Sequence, residues 1–175
     1  IGSNVAETVP ILEPESEADG FRSPPANIEA EMGLLGAILI NNRAYERVSE
    51  FLTPDQFCEE FHGRIYDACA RMIERGQRAD PTTLRFFFDS DEAYRAVGGA
   101  QYVARLAANA TTIINAQDYG RLIHDLHLRR ELIGLGTDVV NDAYVDDLEA
   151  SALDQIETAE QKLYDLATFG EYEGG

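Results

Sequence analysis

Lysine is almost absent from this chain: one residue, Lys162, in 175. A P-loop needs that residue type behind a glycine-rich turn, at the opening of a helix, where backbone amides cradle phosphates. Lys162 instead sits in "TAEQKLYDLA", between Gln161 and Leu163, deep in a helical pattern. It reads as a solvated helix-face lysine, and P-loop ATPase chemistry is excluded from this chain. Basic charge is scarce altogether, with 14 Lys and Arg against 32 Asp and Glu and a net charge of −18. Such a surface repels phosphate backbones and has few counterions to release, which argues for weak or no direct DNA binding and against a helical DNA-binding module. It suits a partner with a basic face. Cysteine is limited to Cys58 and Cys69, with no second Cys or His pair at zinc-finger spacing, so both are expected to be reduced, small hydrophobes. No apolar run approaches the roughly 18 residues of a membrane span. No basic flank precedes an apolar block, so a secretory signal is not expected and the chain reads as cytoplasmic. Alternating strand pairs are missing too. Phe86-Phe87-Phe88 is the best strand candidate, and its capped start argues for helix.

What is present is helical punctuation around 45% hydrophobic residues, enough for one core. Residues 1–23 form an acidic segment, with Glu7, Glu13, Glu15, Glu17 and Asp19 against Arg22 alone, and read as a disordered tail. Asn27 is an N-cap for a helix with Glu29 and Glu31 in its first turn and Ile28, Met32, Leu35 and Leu39 along one face. Thr53, Pro54 and Gln56 offer a second start with a capping box. Ile65, Cys69, Met72 and Ile73 then share a face up to a left-handed stop at Gly76. Asp80 and Pro81 open another helix, and Gly98-Gly99 precedes a further one in "AQYVARLAANA". The expected fold is all-α: a helical globule over 24–114, then a projecting antiparallel hairpin over 115–168, with 169–175 the start of a linker.

The hairpin follows from spacing. From Asn115, a plausible N-cap, to Ala143 there is no proline, and Tyr119, Leu122, Leu126, Arg129, Ile133, Gly136, Val140 and Ala143 alternate threes and fours. After the turn "YVDD", Ala152, Ile156, Ala159, Leu163 and Leu166 do the same. Arms of roughly 30–40 Å would outreach the globule, so their apolar stripe needs cover from a second chain. Tyr119, Leu122, Leu126, Arg129, Arg130, Ile133, Ile156, Leu163 and Leu166 are the expected interface residues. Arg129 falls where Leu or Ile is expected, and either snorkels to the interface edge or pairs with a carboxylate across it. Gly134 and Gly136 allow a kink or a close helix approach. A competing reading is a small helical metalloenzyme using His124 and His127, three apart on one face, although nothing in the sequence nominates a third ligand. His62 reads as a packing or capping residue. No catalytic, cofactor-binding or metal residue is assigned.

Taken together, "PPANIEAEMGLLGAIL", "LTPDQF", "HGRIYDACARMIERG", "DPTTL", "VGGAQYVARLA", "YGRLIHDLHLRRELI" and "AEQKLYDLA" resemble, in order, the amino-terminal domain of the bacterial replicative DNA helicase, the DnaB type. The resemblance runs from about Pro24 to Ala167. It implies a helical globule and hairpin, with subunits paired through hairpins in a dimer or in a hexamer built as a trimer of dimers. It implies docking of primase and, in some bacteria, a helicase loader. ATP and Mg would belong to a RecA-like domain beyond "GEYEGG", whose residues have no counterparts here. The acidic tail matches nothing in the family.

Overall fold

A computed structural model describes residues 22–110, 113–145 and 149–171. The acidic tail up to residue 21, part of the "YVDD" turn and the end of the expected linker lie outside them. The described residues form helices joined by turns, with no strand among them: α1 (Ile28–Ile40), α2 (Arg43–Glu46), a 3-10 turn (Pro54–Gln56), α3 (Glu60–Glu74), α4 (Pro81–Phe88), α5 (Glu92–Ala96), α6 (Gly99–Ala108), α7 (Ile113–Tyr144) and α8 (Ala152–Gly170). Asn27 caps α1, its side chain accepting from the Ala30 amide at 2.9 Å, and Asp80 with Thr83 closes a reciprocal capping box on α4. Phe86–Phe88 is therefore helix, as the capped start requires. Gly76 and Gly98 take the left-handed backbone at their turns, with φ of 75° and 106°.

α1 is the central rod. Ala30, Glu31 and Gly33 to Leu39 are all buried: Leu35 and Leu39 of the expected stripe face the core, with Leu34 and Ile38 widening it, but Ile28 is exposed and the helix is enclosed on nearly every side. α3, α6 and the first half of α7 pack around it, with α2 at its end. Gly36 permits the closest of these approaches. A Cβ there would run into the Leu106 carbonyl oxygen and come within 3.1 Å of the Ala110 Cα. The two ends of the globule are stitched by polar side chains. Asn42 donates to the Ile38 and Ala79 carbonyls and accepts from the Ala79 amide, and Tyr66 donates to the Leu52 carbonyl at 2.8 Å. Each satisfies backbone groups that burial would otherwise strand.

Three expectations need correction here. Thr53 makes no cap bond to the backbone. Pro54–Gln56 is a single 3-10 turn, and the buried Gln56 side chain donates to the Phe51 carbonyl and the Thr53 hydroxyl instead of closing a capping box. Asn115 is not an N-cap, because α7 already begins at Ile113. Cys58 is exposed rather than a core hydrophobe, whereas Cys69 is fully buried and burial pushes its thiol up to about 12.

α7 and α8 run antiparallel. Phe169 reaches the rings of His124 and His127, with centroids 5.7 and 5.9 Å away, while Gln155 at the other end donates to the Asp142 carbonyl at 3.0 Å. α7 is unbroken through Gly134 and Gly136, and a Cβ on either would meet nothing within 4 Å, so neither glycine serves a close approach within the chain.

Candidate docking surface

The first half of α7 belongs to the globule. Ala116, Gly120, Ile123 and His124 are buried, and Tyr119 lies against Gly33 of α1, to which a Cβ would come within 3.1 Å of its ring. The expected stripe therefore divides. Tyr119 is used within the chain, and so is Arg130, which donates to the Pro25 carbonyl at 2.8 Å and to the Gln56 carbonyl at 2.7 Å. Leu166 also faces its own hairpin, in a groove shared with His127, Leu135 and Phe169. Leu126 is half-buried. Leu122, Ile133, Ile156 and Leu163 are exposed, the last three at 55%, 53% and 46%.

Arg129 does not reach across any interface in the chain. It pairs with Asp125 one turn earlier on α7, Nε to carboxylate at 2.8 Å, with both side chains well exposed. That hydrogen bond raises the guanidinium pKa further above its ordinary value. An exposed pair on one helix contributes little to stability.

Beyond these residues the arms are apolar and open. Leu132, Val139, Val140 and Tyr144 on α7, Val145 just after it, and Leu153, Tyr164 and Phe169 on α8 are all exposed, and α8 has no buried residue. Near the tip the arms stand apart around a gap lined by Val139, Ala143, Val145, Ala152, Ile156 and Ala159, with Asp142 and Lys162 at its edges. Lys162 is exposed, as its helix-face reading requires.

The two histidines pack against aromatic rings where α7 meets α8. Gln56 is oriented by the two acceptors its amide nitrogen serves, so its oxygen accepts from His124 Nδ1 at 2.8 Å, which fixes the proton on that nitrogen. His124 is 8% exposed and also stacks edge-on with Phe51. His127 is held by Phe169 and desolvated, which lowers its pKa. Among the described residues no group of three or more His, Cys, Asp or Glu side chains collects as a metal site. The metalloenzyme reading finds no further ligand: His124 Nε2 is buried without a hydrogen-bond partner, but no set of three donors collects around it among the described residues.

Sequence reasoning missed a buried polar cluster. Glu31, expected to act on its own helix dipole, is 2% exposed and turns to the start of α3, where its carboxylate accepts from the Cys58 and Glu59 amides at 2.8 and 3.2 Å and contacts His62 Nδ1 at 2.9 Å. His62 Nε2 in turn contacts the Tyr102 hydroxyl. The cluster ties α1, α3 and α6 together. The signal was in the phase: Glu31 stands four residues before Leu35 and seven before Ile38, in line with the core.

The comparisons bear on this architecture directly. The profile of the DnaB-like helicase N terminal domain matches residues 23–125, more than half of the chain. The chain belongs to that family. This DnaB-like domain is 48% identical over 144 residues to the replicative DNA helicase DnaB of Rickettsia felis, an alignment covering 82% of the chain and 29% of that protein. The crystal structure of the N-terminal domain of DnaB helicase from Mycobacterium tuberculosis superposes with a TM-score of 0.74 at 31% identity, over 82% of this chain and 99% of that one. A DnaB-like replicative helicase, described with its interactions with primase, has the same fold at 21% identity and a TM-score of 0.67, over 85% of this chain and 33% of that one. The DnaB-like domain thus spans under a third of the Rickettsia felis protein, and the all-helical fold expected from the sequence is the family's.

Proposed function

We propose that this DnaB-like domain is the non-catalytic collar of a replicative DNA helicase: its hairpin joins subunits, and its surface receives primase or a helicase loader. The observation that carries this reading is the apolar surface of the distal arms, exposed from Leu132 to Val145 and from Leu153 to Tyr164. Contiguous apolar area of this kind marks an interaction site on a soluble chain. Its self-complementary use by a second copy would bury about 1,200–2,000 Å² in a specific dimer. Ile133, Ile156 and Leu163 are the residues assigned to that contact, with Leu122 and Leu126 at its globule end, and Tyr119, Arg130 and Leu166 supporting it from inside the subunit. ATP and Mg are handled by a RecA-like domain joined beyond residues 169–175, and the setting is the bacterial cytoplasm. No helix among the described residues is long and apolar enough to cross a membrane.

The test is mass in solution. Ile156→Asp with Leu163→Asp adds two charges to the exposed row without touching the buried core. Light scattering should show the assembly falling to monomer while the thermal midpoint of the globule stays in place. An unchanged mass removes the hairpin from subunit contact. Sedimentation equilibrium with and without primase then reads the docking half of the proposal separately.

A further inference from the structure

Far along the chain from the hairpin, α4 carries a second uncovered apolar surface. Leu84 and Phe88 point into the core, but Phe86 is 81% exposed and Phe87 49%. The globule's other described phenylalanines, Phe51, Phe57, Phe61 and Phe88, are all buried. Phe87 is the shared wall of two shallow grooves. One is lined by Met72, Gln77, Arg78, Thr83 and Phe86, with Arg78 its single charged residue. The other continues past Arg71 and Arg64 to Pro54, Phe57 and Cys58 and also carries Asp55, Glu60 and Asp67, with Asp67 paired to Arg71 at 3.0 Å.

At the groove beside Arg78 the charge opposes that of the whole molecule. Residues 71–88 hold Arg71, Arg75, Arg78 and Arg85 against Glu74 and Asp80, in a chain of net charge −18. Glu74 is engaged by the Tyr45 hydroxyl at 2.8 Å. Arg78 meets only Asp80, at 3.3 Å, with the arginine side chain 74% exposed. An exposed pair of that kind is worth little and is readily exchanged for another carboxylate. The face thus offers two aromatic rings and an arginine cluster, which fits an acidic segment with apolar anchors.

Such a segment lies in the same chain. Residues 7–19 contain Glu7, Glu13, Glu15, Glu17 and Asp19 around Val9-Pro10-Ile11-Leu12, and no basic residue precedes Arg22. The family match begins at residue 23, after this stretch. Its point of entry is fixed: Arg130 holds the Pro25 carbonyl and the Gln56 carbonyl together, beside the Pro54–Cys58 wall of the groove that ends at Phe87. At about 3.3 Å per residue the dozen residues from 13 to 24 reach about 40 Å, more than a globule of this size requires.

We propose that the acidic segment 7–19 docks in cis on the Phe86–Phe87 face, with Val9, Ile11 and Leu12 against the rings and its carboxylates against the arginines of 75–85. The contact covers an aromatic surface, and it weakens with salt. The test uses the full 175-residue chain. A nitroxide is placed on Ser16→Cys in a Cys58→Ser background, Cys69 being buried and unreactive. Amide signals of residues 75–87 should drop below half on oxidising the label, while those of 152–168 keep their intensity. Arg75→Glu with Arg78→Glu should abolish the drop, and adding Glu13→Arg, Glu15→Arg and Glu17→Arg should bring it back. Undiminished signals at 75–87 overturn the proposal. So does a drop seen when labelled chains are mixed with unlabelled isotope-enriched ones, because the segment would then be reaching a second copy.

Discussion

One helix shows two fates for similar residues. In the first part of α7, Ala116 and Ile123 are 0% and 2% exposed; further along, Ile133 and Val140 are 55% and 54% exposed. Helix propensity and side-chain chemistry barely differ between the two stretches. What differs is the neighbour, since α1 and α2 cover the first part and only the thin α8 lies beside the second. Globule and arms therefore rest on different physics. The globule closes its own core, whereas the arms are held by helix formation and a single helix–helix seam, leaving apolar surface whose burial waits for another molecule.

The sharpest way to break that contrast is to add one methyl group to each region. Gly36→Ala drives a Cβ into the Leu106 backbone, which cannot yield as a side-chain end would. The loss should be about 3 kcal/mol, at the upper end of overpacking penalties, read as a lowered urea midpoint at constant m. Gly134→Ala and Gly136→Ala meet nothing within the chain and should each stabilise α7 by about 0.5–1 kcal/mol. Equal effects at the two sites would erase the distinction drawn here. A gain in helix stability accompanied by a loss of association would sharpen it, by showing that a partner's backbone uses the open glycines.

Polar pairs make the same comparison at smaller scale. Glu31→Ala strands two amides and His62 in a buried site, and should cost about 2–3 kcal/mol. Asp125→Ala removes the partner of Arg129 on the exposed side of α7, and chemical denaturation should detect no change. A silent Glu31→Ala would mean that α3 is positioned by packing alone.

How much of this was legible beforehand follows the same boundary. Helix starts fixed by local chemistry, at Asn27 and Asp80, can be read because the cap and its amide are only three residues apart. The hairpin is legible through its period. What spacing does not reveal is which side of a helix faces its own globule. The stripe from Leu122 to Ile133 was expected to be the seam, yet the chain buries the adjacent row of Gly120, Ile123 and His124, and that choice depends on Val48 and Phe51, about seventy residues earlier. Glu31, Gln56 and Arg130 were misjudged or missed for one reason. Each satisfies groups distant in sequence, and a polar residue with a remote partner looks the same in sequence as a solvated one.

The smallest expected effect lies where globule and arms meet. His127 sits on α7 against Phe169 of α8, and desolvation lowers its pKa below 6.5, outweighing the nearby Glu131 and Asp55, which act in the opposite direction. The folded state thus binds the proton less readily than the unfolded chain, so stability gained through this group is complete above pH 6.5 and declines as pH falls towards the lowered value. The loss should register first as separation of the α8 end from α7, not as melting of the globule, because the ring's only aromatic partner in the described structure is Phe169. Amide exchange at residues 164–170 should therefore quicken as pH falls below 6.5, after correction for the intrinsic rate, while exchange at 34–39 in α1 stays level. His127→Phe keeps the ring contact without the charge and should flatten that response. A titration midpoint for His127 at or above 6.5, followed by its ring proton shifts, would place the imidazole in water and remove the pH response from this junction.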